Sequence, residues 1–471
     1  MKSSLFTDLL PESMTQSDRD ALFDAIQECK PERALRLHKL TPEAFLSWYN
    51  EIYSQQPPPH PILWADGCFY LPEHMKLGLH PLHIAGAFYL QEPSAMAPVS
   101  ALDIQPGCRV LDLCAAPGGK AGQIAAALAV RNVQNDGGFL LANELQPARA
   151  VELRANLQRL GVTNAVVMQE SADRLAERFA GYFDRILVDA PCSGEGMFRR
   201  SPAAVRSWSQ RAVEGCAARQ RTLLESACAM LRPGGLMVYS TCTFNRIENE
   251  GTVLAFLGAH DEFAAEDFGL TGLPPSKEGM LRLMPHQGFG EGQFMARLRK
   301  RDYPRNSPPV RRQIHAATER VTTVERDSFE RFRADNLPGL NLRDGFQRLG
   351  GHICALPPGC TDPERWTGLR VLAAGVDLGD PHPHGWEPAH ALAMALKPSQ
   401  ARYIAALDDQ MAVSWLAGHD LPLNDSSNDS DEIPSCKWGL TEYRGMPLGF
   451  GKINKAALKN RLPFTVQARL S

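Results

Sequence analysis

The stretch RVLDLCAAPGGKAGQIAAALA (109–129) decides how this chain folds. Its first six residues are an apolar run of strand length that ends in a cysteine. AAPGG is turn chemistry, and GGKAGQIAAALA (118–129) reads as a helix whose small residues allow close packing. The same alternation continues outward. GFLLANE (138–144) is a second strand, and PARAVELRANLQRLG (147–161) a helix opened by Pro and closed by Gly. AVVMQ (165–169), RILVDA (185–190) and GLMVYST (235–241) supply three more strands, with a helix over about 203–231 between the last two. Strands apolar on both faces, alternating with helices, predict a doubly wound, Rossmann-like parallel α/β sheet. LRLMPH (281–286) and GQFMARLRK (292–300), joined by a Gly-rich turn, predict an antiparallel hairpin closing its edge.

The flanks read differently. PEAFLSWYNEIY (42–53) has helical spacing before QQPPPHP (55–61) breaks the chain, which suggests a small N-terminal α/β domain over 1–75. The central domain is then expected over 76–302 and a basic, Pro-rich linker over 303–325, continuing RKRDYPRNSPPVRR (299–312). Residues 326–471 form the C-terminal region, in which NDSSNDSDE (424–432) reads as a loop or disordered insertion. From Lys437 to Ser471 there are seven Lys/Arg against one Glu, interleaved with Trp438, Tyr443, Phe450 and Phe464.

The 471 residues carry 44% hydrophobic and 22% charged residues, as a soluble globular protein does. The net charge is only −3, so a polyanionic partner must be met by local basic patches. Arg199 and Arg200, the linker region from 297 to 312 and the tail are the candidates. Eleven cysteines without a CxxC pair argue against a disulfide scaffold and against a zinc site, and suit a reducing cytoplasm. No signal peptide and no membrane span are expected, since no apolar run approaches the roughly 18 residues that crossing needs.

Ligands of open α/β sheets bind at the carboxyl ends of the strands. There the first strand ends in Cys114, Ala115, Ala116, Pro117, Gly118, Gly119 and Lys120, a loop whose glycines admit a ligand to the backbone and to a helix N-terminus. The loop is neither GxGxxG nor a phosphate loop, which favours a compact nucleoside over a dinucleotide or ATP. Glu144, ending the second strand, can accept from both ribose hydroxyls. S-adenosylmethionine suits this pair of features. Asp189 in DAPC, Cys192 after it and Cys242 in STC sit at the ends of neighbouring strands and can face one cavity. A thiolate adding to carbon-6 of cytosine makes carbon-5 nucleophilic enough to take a methyl group. A carboxyl group such as Asp189 can orient the base, Lys120 can favour a thiolate, and a second cysteine can help release the product.

LDLCAAPGGK, ANELQPARAVELRANLQRLG, DAPCSGEGMFRR and YSTCTFNRIENE resemble the Nop2/Sun family of RNA cytosine-carbon-5 methyltransferases, over roughly residues 80–300. HIAGAFYLQEPSAMAP (83–98) is similar to the segment leading into that family's catalytic domain. LMPHQGFGEGQFMARL and PLGFGKINKAALKNRLP resemble its bacterial branch acting on small-subunit ribosomal RNA. The resemblance implies a class I methyltransferase fold, S-adenosyl-L-methionine as cofactor and no metal. It further implies RNA-binding flanks, the C-terminal one a β-rich domain of the PUA kind. In that family the TC cysteine attacks and the PC cysteine assists release. This makes Cys242 the nucleophile and Cys192 the release residue, with Asp189 and Lys120 at the target base. Its cofactor positions map onto 114–120, Glu144, Asp189 and, by alignment back from FDRILVDAPC, Ser171, where the family usually has an acid; Asp173 follows two residues later. The partner implied is small-subunit ribosomal RNA or the assembled small subunit, and a cytoplasmic monomer is expected. A cytosine methyltransferase of transfer RNA or DNA, and a non-catalytic assembly factor on the same fold, are the alternatives.

Overall fold

A computed structural model of the chain describes residues 4–28, 30–72, 75–131, 137–302, 321–342, 345–349, 351–383, 385–423, 437–454 and 457–467. The acidic 424–432 segment and nearly all of the expected linker lie outside the described residues.

The central sheet is built from β1 (Arg109–Asp112), β2 (Phe139–Asn143), β3 (Ala165–Met168), β4 (Phe183–Asp189), β5 (Leu231–Thr241), β6 (Met280–Leu283), β7 (Gln293–Lys300) and β8 (Val371–Ala374), with the short strand Phe263–Ala265 also paired to β7. Its order is β6-β7-β5-β4-β1-β2-β3-β8. β3 to β5 run parallel through β1, while β7 pairs antiparallel with β5 and β6 closes the hairpin as the sequence predicts. The direction of winding reverses between β1 and β4, which puts a crevice at their carboxyl ends.

The side chains alternate as a doubly covered sheet requires. Val110, Leu140, Val167, Leu187, Val238 and Met295 enter one core. Their neighbours Leu111, Leu141, Val166, Ile186, Met237 and Phe294 enter the other. Helices α1 (Gly119–Arg131), α2 (Pro147–Leu160), α3 (Ala172–Phe179), α4 (Pro202–Ser207), α5 (Gln210–Met230) and α6 (Glu250–Ala259) connect the strands. α2 has the predicted ends: Pro147 in its first turn, and Gly161 at φ 71°, a left-handed cap that an L side chain disfavours.

Two features differ from the sequence reading. The expected helix over 203–231 is two helices, because Trp208 turns extended to donate its indole N–H to Glu195 Oε1 at 2.9 Å. Ser209 then caps α5 through Ala212 N. β8 is the second. This four-residue strand from the C-terminal part of the chain covers the far edge of the sheet, antiparallel to β3.

The N-terminal residues form a three-stranded antiparallel sheet, Cys68–Tyr70, Ala34–Leu37 and Phe88–Leu90, covered by the helix Pro42–Tyr53. C-terminal residues supply a four-stranded and a five-stranded sheet. The two ends of the chain share one core, where Phe45, Trp48 and Phe88 pack with Trp415, Tyr443 and Leu448. Tyr443 is therefore a core residue, as are Trp438 and Phe450, and none of the three is available to stack on a base. Phe464, 78% exposed, is the only tail aromatic of the four left at the surface. Among the described residues no helix is long and apolar enough to cross a membrane.

Candidate active site

The crevice at the ends of β1, β4 and β5 collects Lys120, Asp189, Cys192 and Cys242. Lys120 Nζ donates to Asp189 Oδ2 at 2.8 Å, and Ser240 Oγ and Gln293 Nε2 donate to Oδ1 at 2.7 and 3.3 Å. Three donors leave the carboxylate about one of its four lone-pair positions. Burial alone would lower the Lys120 ammonium, but Asp189 outweighs it and holds it above its ordinary value, with negative charge at Cys242 acting in the same direction. Cys192 Sγ lies 3.3 Å from Cys242 Sγ, both as free thiols. The hydrogen bond to Cys242, then burial, then the charges of Cys242 and Glu248 push Cys192 well above the ordinary thiol range. These surroundings oppose ionisation of Cys192.

A network of buried polar groups holds the two thiol loops. Glu195, fully buried, accepts from Phe244 N at 2.6 Å, Asn245 N at 2.9 Å and Asn245 Nδ2 at 2.9 Å. Glu248 accepts from Ser193 N at 3.0 Å, Gln220 Nε2 at 2.8 Å and Asn245 Nδ2 at 2.8 Å. Gln220 also donates to Pro191 O at 3.0 Å. Gly196 N donates to Cys242 O at 2.8 Å, and a Cβ on Gly196 would stand 2.9 Å from that oxygen. Sequence reading missed Glu195, Gln220, Ser240, Asn245, Glu248 and Gln293. Most of them stand in the segments already quoted, DAPCSGEG and STCTFNRIENE, but that reading sought groups that react rather than groups that hold.

The loop from Cys114 to Lys120 is tied by its carbonyls. Arg149 donates to Ala116 O at 2.8 Å, Asn156 to Pro117 O at 2.9 Å and Arg36 to Gly119 O at 3.3 Å. Gly118, at φ 112°, makes the turn into α1, whose first N–H groups have no intrahelical partner. Both oxygens of fully buried Asp112, and Glu144 Oε2, lack hydrogen-bond partners here, although the Arg149 guanidinium stands 3.3 Å from the latter. The N–H groups opening α1 and the strand-end Glu144 fit the carboxylate and ribose of S-adenosylmethionine. Ser171 follows β3 at the carboxyl end of the sheet. Its hydroxyl caps α3 by accepting from Arg174 N at 3.5 Å, while Asp173 faces α5 and accepts from Ser226 Oγ at 3.0 Å.

Four of the basic candidates make ion pairs within the protein. Arg199, 5% exposed, pairs with Glu291 at 2.8 Å and Arg200 reaches the same carboxylate at 3.3 Å. Arg297 and Arg299 both pair with Glu266. The Arg199 side chain is buried by its pair, whereas Arg200 and Arg299 each keep about a third of their side chain exposed.

Burial, then the neighbouring Asp189, pushes the Asp112 carboxyl up to about 8. The folded protein then keeps a proton that the unfolded chain releases near pH 4, so this group favours the folded state below about pH 4 and loses that contribution as pH rises toward 8. Asp112→Asn is expected to remove this slope. In thermal melts the variant's advantage over the parent should grow between about pH 5 and 8.5; parallel profiles would show that Asp112 is already ionised in the folded protein.

Comparison with known proteins gives the same answer along the whole chain. Residues 4–93 match the N-terminal domain of 16S rRNA methyltransferase RsmF and residues 99–299 the 16S rRNA methyltransferase RsmB/F domain. Residues 331–396 match the first C-terminal domain of RsmF rRNA methyltransferase and 402–464 the methyltransferase RsmF PUA domain. Ribosomal RNA small subunit methyltransferase F of Pectobacterium atrosepticum is 33% identical over 97% of this chain and 93% of its own length. Its counterpart in Vibrio vulnificus is 31% identical over 97% and 94%. The crystal structure of NSun6 from Pyrococcus horikoshii, 20% identical, superposes with a TM-score of 0.53 over 63% of this chain and 97% of that one, a likeness of fold. With its class I methyltransferase sheet, its PUA domain and these relatives, the chain belongs to the RsmB/F family of 16S rRNA methyltransferases.

Proposed function

We propose that the protein methylates carbon-5 of cytosine in small-subunit ribosomal RNA through a covalent adduct with Cys242. The observation that carries this is the pair of free thiols 3.3 Å apart beside the Lys120–Asp189 ion pair. S-adenosyl-L-methionine, held by residues 114–120 and Glu144, supplies the methyl group when bound. Cys242 adds as a thiolate to carbon-6, favoured by the Lys120 ammonium. Asp189 accepts from the exocyclic amine of the base and, held by Ser240, Gln293 and Lys120, fixes its plane. After methyl transfer a solvent base takes the carbon-5 proton, the C–H electron pair re-forms the 5,6 double bond, and the Cys242 sulfur leaves carbon-6 with their bonding pair as a thiolate. Cys192, kept as a thiol, returns a proton to that departing sulfur. The base must leave its stack to reach both thiols, so a flipped or single-stranded cytosine is the substrate.

In this reading residues 1–75 and 326–471 grip RNA, 76–302 carry the chemistry and 303–325 link them. The enzyme works as a cytoplasmic monomer on naked RNA or the assembled subunit. Labelled methyl transfer to small-subunit ribosomal RNA, transfer RNA and DNA, followed by bisulfite sequencing, tests it. Label at one or a few ribosomal cytosines is expected. Label in transfer RNA or DNA alone would overturn the substrate, and absence of S-adenosylmethionine binding by calorimetry would favour a non-catalytic assembly factor.

A further inference from the structure

Away from the crevice, the last turn of α5, the end of α6 and the short strand Phe263–Ala265 bring together Cys228, His260 and Glu262. Cys228 Sγ lies 3.8 Å from His260 Nδ1 and 3.5 Å from Glu262 Oε1, and the last two atoms are 3.3 Å apart. Three ligands of these types around one tetrahedral zinc ion, at ordinary bond lengths, stand about 3.3–3.6 Å from one another. The other ring nitrogen, His260 Nε2, sits 3.0 Å from both oxygens of Glu225. A proton on Nε2 donated to Glu225 turns the lone pair of Nδ1 toward the sulfur and the Glu262 oxygen. The Cys228 thiol donates to Glu262 Oε1; a metal that displaces this proton would meet three lone pairs directed at one point. A carboxylate behind a metal-bound imidazole is the usual outer support of such sites. The ring itself is fixed by Phe256, with centroids 4.5 Å apart.

We propose that Cys228, His260 and Glu262 form a site for a divalent transition metal of the zinc type, completed by water and supported by Glu225. It would tie the C-terminal ends of α5 and α6 to the strand that pairs with β7. The ligands are 32 and 2 positions apart, so the absence of CxxC excludes only a site built from paired cysteines.

The full-length protein, stripped by chelator and kept reduced, would be titrated with Zn²⁺ in a calorimeter and with Co²⁺ in a spectrophotometer. One equivalent of each should bind, and Co²⁺ should give the near-ultraviolet band of a thiolate–cobalt bond. That band should vanish in Cys228→Ser and persist in Cys242→Ser. Glu225 is exposed, so Glu225→Gln should fold normally while weakening binding about ten- to a hundredfold. A band that persists in Cys228→Ser and is lost in Cys242→Ser would place the metal at the catalytic thiols and overturn the proposal. No saturable binding would leave a protonated His260 bridging two glutamates, and would overturn it equally.

Discussion

Cys242→Ala is expected to lower methyl transfer to RNA by at least about a thousandfold, ~4 kcal/mol at the transition state. Cys192→Ala should instead accumulate a protein–RNA adduct that survives a denaturing gel. The two thiols touch, yet their surroundings separate them. Cys192 is kept protonated by its bond to Cys242 and by burial, and Glu248, which holds the adjacent Ser193 amide, opposes its ionisation further. Cys242 follows β5 directly, and its carbonyl is fixed by Gly196 N. Removing the attacker leaves no route to a nucleophilic carbon-5. Removing the proton donor leaves attack and methyl transfer intact but slows elimination, so the intermediate persists. The reversed pattern, an adduct with Cys242→Ala and none with Cys192→Ala, would assign attack to the Pro-Cys loop. Asp189→Asn in the Cys192→Ala background should greatly reduce trapping, because the amide presents a donor where the base needs an acceptor.

Much of this was legible in the sequence because strand ends and turns are local. RVLDLC and RILVDA are apolar on both faces, so their place in a covered parallel sheet follows from composition alone. Cys192, Cys242 and Asp189 then had to meet, since neighbouring parallel strands deliver their ends to one crevice. What was not legible is what depends on partners distant in sequence. β8 is four ordinary residues whose role is set by the free edge of β3. Arg199 looks like any surface arginine until Glu291, on the turn before β7, takes it into the interior. Trp438 and Phe450 sit among the basic residues of the tail yet point into a core, with Lys452 opposite Trp438 and its ammonium 5.8 Å from the indole ring. Basic composition therefore says nothing about which of the neighbouring aromatics are buried.

Glu195→Ala is the substitution outside the reacting groups with the largest expected cost, about 3–5 kcal/mol of stability in the catalytic domain. The carboxylate is fully buried, and its oxygens accept from the backbone of Phe244 and Asn245, the side chain of Asn245 and the Trp208 indole. Alanine leaves these donors in a space too small and dry to replace every bond with water, at a cost of about 1–3 kcal/mol for each group left unpaired. Two of the donors follow Cys242 at two and three residues, and Glu195 itself follows Cys192 at three. The damage therefore falls on the relative placement of the two thiols. Glu195→Gln keeps the volume and one acceptor oxygen but turns an amide N–H₂ toward other donors, so an intermediate loss is expected. Urea titrations followed by Trp fluorescence would order the parent, Gln and Ala proteins, with the Ala midpoint lowest. In the Cys192→Ala background, adduct formation should fall in the same order under conditions where all three remain folded. A Glu195→Ala protein that unfolds within about 1 kcal/mol of the parent, the cost of an ordinary substitution, and traps RNA at the parental rate would show that water replaces this carboxylate. The two cysteine loops would then be held by Glu248, Gln220 and the Gly196–Cys242 backbone bond.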